Sequence, residues 1–349
     1  QVWNAQAIAL DPHSSASVFV GAYQGIFRST DGAASFQRVN RGLAATWIRN
    51  LAIDGAAKPT LYAGVYGLDL EKRPSGGSWR SANLPAVGTG LAISPQAPAT
   101  LYAIDYSEID KSVDAGANWN PIRFYSDGCF SIAQIAIDAH DPATLFAVGF
   151  EQSGRCVHDC YTFLSRDAGA HWTCMTTLGG ATSIAIDALD RQTLYAANYD
   201  RTPWRSDDGG KHWARSGRGV PGRSFPLVAA SPVQGGLIYA AAYPPGVFTS
   251  TDGGRTFGKP GLGLPNAVAS NLIGDPADPR IVYAGFGANG NTDASHAGVY
   301  ASTDQGATWS RLGTGLPPEI FSGQLVLDPV NHLLYAGTVG AGVFQIPLL

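Results

Sequence analysis

The chain has 349 residues, a formal net charge of −4 at pH 7 and 14% charged residues. This balance offers no electrostatic basis for binding nucleic acid or an anionic membrane surface, because both attract strongly basic surfaces. No apolar run approaches the roughly 20 residues that a membrane-spanning helix requires, so no such span is predicted.

A short phrase, Ser-x-Asp-x-Gly-x-x-(Trp or Phe), recurs along the chain about every forty to fifty residues. Its first copy is Ser29–Phe36, and a decayed copy runs from Arg73 to Trp79. Five further copies begin at Ser112, Ser165, Ser206, Ser250 and Ser302. A unit repeated at this period indicates a stacked or circular array, because one unit alone cannot bury its apolar face.

Each repeat is predicted to hold four strands, which we name A to D in chain order. Strand A is a short run of small apolar residues that ends in Asp or Ser, as in Leu51–Asp54. Strand B carries an aromatic residue, as in Leu61–Gly64, and strand C leads into the repeated phrase, as in Gly246–Ser250. The phrase forms the turn into strand D. β-Branched and aromatic residues between turn residues are typical of such strands.

Strand A occurs eight times, at about residues 7, 50, 90, 134, 183, 227, 271 and 324. The last unit lacks the phrase and a strand D, whereas Gln1–Asn4 resembles an orphan strand D. Docking that segment beside residues 342–347 would close the ring and hide an exposed edge. We therefore predict an all-β fold, a single β-propeller domain over residues 1–349, with eight four-stranded blades and the N-terminal strand closing the last blade. Seven blades is the alternative, in which one degenerate unit is an excursion.

The carboxylate of the repeated phrase is predicted to be structural. An Asp side chain can accept hydrogen bonds from backbone N–H groups two or three residues on, and Gly supplies the positive φ that a tight turn needs. Copies on six repeats cannot converge on one substrate, which argues against catalysis. The predicted turn carboxylates are Asp31, Asp114, Asp167, Asp207, Asp252 and Asp304.

The four cysteines lie within one repeat: Cys129, Cys156, Cys160 and Cys174. An even, clustered set predicts two disulfides and an oxidising compartment, either extracellular or bacterial periplasmic. Three connectivities are open, and free thiols or a metal site around Cys156 and His158 are the alternatives. The spacing matches no standard structural zinc pattern, and neither a metal nor a cofactor is predicted.

With its repeated phrase, the chain resembles the Asp-box (bacterial neuraminidase repeat) propellers over essentially its whole length. That group includes sialidases, xyloglucan-cleaving glycoside hydrolases, sortilin-type receptors, photosystem II assembly factors and propeller lectins. The resemblance implies the fold and leaves the activity open, because functions differ widely across the group. The Arg-Ile-Pro motif of the sialidases has no counterpart, since Arg38–Asn40 and Ile122–Phe124 do not match it. One propeller is present, whereas the xyloglucan hydrolases use two.

The loops from strand B to C and from strand D to the next A are expected on one face, at the mouth of the channel. Aromatic residues recur in the B–C loops: Tyr23, Tyr66, Tyr106, Phe150, Tyr199 and Tyr243. Aromatic rings at a channel mouth can stack on sugar rings or on aromatic side chains. Trp47 and Arg201 complete this predicted ligand-binding set. The alternative is that the rings are wedges between adjacent blades.

We predict a secreted or periplasmic propeller that binds a ligand without transforming it, with carbohydrate as the first ligand class. The first alternative is a glycoside hydrolase or lyase, because glycosidic cleavage requires two carboxylates across a cleft. The candidate acids are Asp105, Glu108, Glu151 and Asp200. The second alternative is a scaffold or assembly factor that binds a protein partner.

Overall fold

The structure is a computed structural model of an all-β chain. It describes residues 5–11, 14–22, 25–29, 37–38, 48–65, 69–85, 90–105, 108–122, 130–151, 160–175, 178, 180–197, 203–218, 224–243, 246–267, 269–286, 297–312, 321–338 and 343–348. In residues 5–38 this description is limited to the backbone. These segments contain no helix with the length and apolarity to traverse a bilayer.

The described strands pair antiparallel in eight sheets, numbered here in chain order. Sheet 1 holds β1 (Ala5–Asp11), β2 (Ser14–Ala22), β3 (Gly25–Ser29) and β4 (Gln37–Arg38). Sheet 2 holds β5 (Ile48–Ile53), β6 (Thr60–Val65), β7 (Asp69–Pro74) and β8 (Arg80–Pro85). Sheet 3 holds β9 (Gly90–Ile93), β10 (Leu101–Asp105), β11 (Glu108–Ser112) and β12 (Asn120–Ile122). Sheet 4 holds β13 (Phe130–Ile137), β14 (Leu145–Glu151), β15 (Thr162–Ser165) and β16 (Thr173–Cys174).

The remaining sheets continue the same meander order. Sheet 5 holds β17 (Ser183–Ile186), β18 (Leu194–Ala197), β19 (Trp204–Ser206) and β20 (Ala214–Arg215). Sheet 6 holds β21 (Ser224–Ala230), β22 (Ile238–Tyr243) and β23 (Gly246–Ser250). Sheet 7 holds β24 (Asn271–Gly274), β25 (Val282–Phe286), β26 (Gly298–Ser302) and β27 (Ser310–Leu312). Sheet 8 holds β28 (Phe321–Asp328), β29 (Leu333–Thr338) and β30 (Val343–Pro347).

The first strands of sheets 2 to 8 contact one another in a closed cycle. Strand β5 contacts β9, β9 contacts β13, and the cycle continues through β17, β21, β24 and β28 back to β5. These strands therefore surround a central axis, and the other strands of each sheet radiate outward from them. The protein is a β-propeller whose ring closes with seven blades.

Sheet 1 takes no place in this cycle, since none of its described strands makes an extensive contact with another sheet. The prediction of eight blades was therefore wrong. The physical reason is that sheet 8 packs directly on sheet 2, where Tyr335 is buried in one apolar cluster with Ile48 and Leu61. Sheets 6 and 8 also have three described strands rather than four. The segment Gln1–Asn4, predicted to close the last blade, lies outside the described residues.

The hydrophobic core is divided among the seams between adjacent blades. Seven clusters of buried side chains are found in the described part of the chain, and each joins two neighbouring sheets of the ring. Strand B supplies an aromatic ring to each: Tyr62, Tyr102, Phe146, Tyr195, Tyr239, Tyr283 and Tyr335. Burying one such aromatic side chain contributes about 1.5–3 kcal/mol. The seams between blades therefore stabilise the closed propeller.

The repeated phrase folds into the same turn on sheets 3 to 7. In sheet 3, Ser112 Oγ donates to Asp114 Oδ1 at 2.8 Å and accepts from the Gly116 N–H at 2.9 Å. The Asp114 carboxylate also accepts from the N–H of Asn118 at 2.9 Å. Together these bonds satisfy backbone donors that the tight turn would otherwise leave unpaired. We refer to this arrangement as the repeat turn.

In sheet 5 the repeat-turn carboxylate is Asp208, which corrects the sequence-based assignment to Asp207. Ser206 Oγ donates to Asp208 Oδ1 at 2.9 Å, and the His212 N–H donates to the same oxygen at 2.9 Å. Asp207 instead accepts from Arg205 Nε at 2.7 Å. The spacing of the phrase already points to Asp208, which lies two residues after Ser206 and two before Gly210, so the assignment to Asp207 did not follow the motif and the hydrogen bonds correct it. Asp31 of the first copy lies outside the described residues.

Acid is expected to destabilise the protein through these turns. Backbone and side-chain hydrogen bonds from His171 lower the pKa of Asp167 to about 2. At Asp252, hydrogen bonds from Thr256 outweigh the effect of burial and also lower the pKa to about 2. A carboxyl group with a lowered folded-state pKa stabilises the fold above its unfolded pKa of about 4, and this contribution is lost as pH falls toward 2.

Urea unfolding midpoints measured from pH 5 to pH 2 should therefore fall steadily below pH 4. The Asp252→Asn variant cannot titrate at this position, so its midpoint should fall less steeply with pH than that of the wild type. The difference in midpoint between the wild type and the variant at neutral pH should shrink as the wild-type carboxyl becomes protonated. Parallel pH profiles for the two proteins would contradict this role of the repeat turn.

Candidate functional site

The inner strands of four blades are irregular near their first residues. The shifts in register lie between Ile48 and Asn50, Ile132 and Gln134, Ser224 and Leu227, and Phe321 and Leu325. An extra residue in a strand bends it and re-aims the side chains beside it. Strand A begins at the end of the blade where the B–C connections lie, so these irregularities surround one mouth of the central channel.

All seven inner strands of the ring contribute to a cavity of about 280 Å³ on the axis at this mouth. Its polar lining consists of side-chain amides and hydroxyls, and the described lining residues include no charged side chain. The amides are Asn50, Gln134, Asn271 and Gln324. The hydroxyls are Thr182, Ser183 and Ser270. We name this the axial cavity.

Hydrogen bonds orient part of this lining and leave part of it open. Gln134 Oε1 accepts from the Ile184 N–H at 2.8 Å, which fixes the amide plane and leaves the NH₂ group for the cavity. Ser183 Oγ donates to Val228 O at 3.1 Å. Asn271 Oδ1 is buried and makes no hydrogen bond with any described residue. Buried polar atoms normally have partners, so a donor from a ligand or a water satisfies this oxygen best.

An acidic hairpin of sheet 3 stands beside the axial cavity. Asp105 and Glu108 face each other across the β10–β11 pair, next to Ile104, which lines the cavity. Burial and the nearby Glu108 raise the pKa of Asp105, and the charge of Arg49 opposes them. Burial, and then Glu108, also raise the pKa of Asp110. A carboxyl group with a raised pKa next to a second carboxylate is the combination that general acid catalysis uses.

The structure places part of the predicted ligand-binding and catalytic set. Phe150 lies at the end of β14 with 39% of its surface exposed. For Glu151 and Tyr243 the structure describes the backbone, at the ends of β14 and β22, and not the side chain. The other predicted residues lie outside the described residues: Tyr23, Trp47, Tyr66, Tyr106, Tyr199, Asp200 and Arg201. The aromatic ring at the channel mouth therefore stays a prediction.

One disulfide, Cys160–Cys174, is present among the described residues and joins the start of β15 to β16. Cys129 and Cys156 lie outside the described part of the chain. The same part of the chain contains no group of His, Cys, Asp or Glu side chains arranged to hold a metal ion. The disulfide prediction is thus supported for one pair.

The axial amides are the residues that the sequence interpretation missed. They stand at the first positions of apolar strand-A runs: Asn50, Gln134, Asn271 and Gln324. A polar residue at the same position of several otherwise apolar strands was a usable signal, because a strand buried on both faces has no need of it.

No protein-family model and no curated protein matches the chain. Among solved structures it is similar to an ancestral GH74 enzyme, at 14% sequence identity and a TM-score of 0.55, over 99% of this chain. The chain spans 44% of the length of that enzyme. It is also similar to YCF48 from Cyanidioschyzon merolae, at 14% identity and a TM-score of 0.59, over 87% of this chain and 96% of that one. At these identities the likeness concerns the β-propeller fold alone.

Proposed function

We propose that the protein is an Asp-box propeller that binds a neutral carbohydrate in its axial cavity. The observation that carries this proposal is the uncharged amide and hydroxyl lining of the cavity. Amides both donate and accept hydrogen bonds, as sugar hydroxyls do, and neither partner needs a counter-ion. The unpartnered Asn271 Oδ1 and the free NH₂ group of Gln134 supply one acceptor and one donor to such a ligand. The aromatic residues predicted at the same mouth would stack on the sugar.

The hydrogen bonds of five repeat turns support placing the chain among the Asp-box propellers, as a single domain over residues 1–349. The Cys160–Cys174 disulfide supports an extracellular or bacterial periplasmic location, because such bonds persist in oxidising compartments. A second disulfide between Cys129 and Cys156 belongs to this proposal.

A glycan array followed by calorimetry with the best binder tests the proposed function. Gln324→Ala and Asn271→Leu are expected to weaken binding about tenfold each, because each removes a hydrogen bond to the ligand in a shielded site. Gln192→Ala is the matched control, since Gln192 is an exposed amide in a turn at the opposite end of the blade. The proposal fails if no neutral glycan binds, or if the three variants bind equally well.

A glycoside hydrolase is the second candidate, and the Asp105–Glu108 pair favours it. The raised pKa of Asp105 suits a general acid, while a second carboxylate would act as nucleophile or base. Turnover of aryl glycosides that falls at least about a hundredfold in Asp105→Asn would establish this activity. Glu151 and Asp200 are the further acids to replace. If the protein neither binds glycans nor cleaves aryl glycosides, a protein-binding scaffold is the remaining candidate function.

A further inference from the structure

Adjacent blades of the ring are joined by a recurring hydrogen bond. A donor on strand B or C of one blade reaches the carbonyl that precedes the glycine of the next repeat turn. Lys72 Nζ donates to Ala115 O at 2.8 Å, and Lys111 Nζ donates to Ala168 O at 2.9 Å. Tyr62 and Tyr102 hydroxyls donate to the same two oxygens. Further round the ring, Arg205 donates to Gly253 O and Thr249 to Gln305 O.

The seam between sheet 8 and sheet 2 has donors at the equivalent positions, with Gln345 in place of the Lys, but a changed turn. Tyr335 and Gln345 pair across β29 and β30, as Tyr102 and Lys111 pair across β10 and β11. The turn they face is the decayed copy, in which Arg73 and Pro74 replace the Ser and Asp of the phrase. The Ser75 N–H donates to Pro59 O as the Ala115 N–H donates to Ala99 O, so Ser75 occupies the acceptor position.

Neither donor reaches that position. Within the described residues, the Tyr335 hydroxyl and the Gln345 amide make no hydrogen bond, although Tyr335 is only 7% exposed. The Arg73 guanidinium lies 5.5 Å from the centre of the Tyr335 ring and likewise makes no hydrogen bond or ion pair there. Three donors, one of them cationic, therefore line one space and make no hydrogen bond there with any described residue.

That space is a cavity of about 380 Å³, which we name the seam cavity. Arg73, Tyr335 and Gln345 line one part of it, and Ile53, Leu61 and Leu333 form an apolar wall. Asp328 also lines it, but its carboxylate already accepts from the Val330 and Asn331 N–H groups and from Asn331 Nδ2. The volume suits a ligand the size of a monosaccharide or an amino acid.

We propose that the seam cavity is a binding site for a small carboxylate ligand, independent of the axial cavity. A carboxylate offers acceptors without donors, which complements three unpaired donors. The planar guanidinium of Arg73 can hold both carboxylate oxygens, while the Tyr335 hydroxyl and Gln345 amide bind the outer lone pairs. The ligand supplies the acceptor that the decayed turn no longer provides. The carboxylate can belong to an acidic sugar or to a peptide C-terminus.

Calorimetric titration distinguishes these two sources. The probes are glucuronate with glucose as its neutral counterpart, and N-acetylalanine with N-acetylalaninamide as its counterpart. At least one carboxylate is expected to bind at least about tenfold more tightly than its counterpart, since hydrogen bonds to a charged group are worth about 1.5–3 kcal/mol. Arg73→Gln should abolish this preference, and Tyr335→Phe should weaken it while keeping the ring.

Arg80→Gln is the matched control, because Arg80 is an exposed arginine of the same sheet that does not line the seam cavity. It should bind as the wild type does, and thermal unfolding of all three variants checks that they are folded. The proposal is overturned if no carboxylate binds, if the neutral counterparts bind equally well, or if folded Arg73→Gln keeps the preference. The two proposals can fail separately, because loss of glycan binding in Gln324→Ala or Asn271→Leu would not alter carboxylate binding in the seam cavity.

Discussion

Replacing Gly149 with alanine is expected to destabilise the protein by on the order of 2–3 kcal/mol, the upper part of the range for overpacking. A Cβ atom at this position would collide with the backbone carbonyl of Ser131 and lie 2.6 Å from Phe130 Cζ. The backbone cannot move freely, because the Gly149 N–H donates to Tyr161 O and the Gly149 carbonyl accepts from the Ala181 N–H.

The same substitution should also distort the axial cavity. Gly149 pairs with Ile132 at the register shift that precedes Gln134, so displacing it moves the inner strand whose amide faces the channel. Urea unfolding measures the stability loss, and glycan titration measures the loss of affinity. Gly55→Ala is the control, since its added Cβ would have its nearest neighbour, Pro95 O, at 3.9 Å. Equal midpoints for the two variants would contradict the close packing inferred at Gly149.

Replacing Phe286 with alanine is expected to cost about 3–5 kcal/mol, the usual loss for a large aromatic ring in a core. Phe286 is 1% exposed and meets Tyr300 edge to face, with ring centres 5.3 Å apart. Both belong to the cluster that joins sheets 6 and 7, so the substitution weakens a seam of the ring and not a single blade. A lowered midpoint for the whole cooperative transition is the expected readout.

Phe150→Ala is the matched comparison, because this ring is 39% exposed at the channel mouth. It should cost less than about 1 kcal/mol, as surface substitutions usually do. A larger loss would identify Phe150 as a wedge between blades, which is the alternative to its predicted role in ligand binding. Loss of glycan affinity at unchanged stability would support the ligand-binding role.

Residue patterns determined the class of fold because each element depends on local chemistry. Ser112, Asp114 and Gly116 form their turn through contacts within five residues, so the phrase alone predicts it. Likewise, the alternation of apolar strands with such turns predicts the blades. At sheet 5 the spacing of the phrase selects Asp208 over the neighbouring Asp207, and the hydrogen bonds agree with the spacing.

The repeats alone were enough to predict a β-propeller, because each repeat satisfies its turn locally and can bury its apolar faces only against a neighbouring repeat. The number of blades was decided by tertiary structure, since ring closure depends on how Tyr335 and Ile48 pack across residues far apart in the chain. The axial cavity and the seam cavity also depend on ring closure, because the residues that line each of them come from blades that only the closed propeller brings together. The polar residues at the start of several inner strands are visible in the sequence, but the cavity that these residues line forms through packing between strands far apart in the chain.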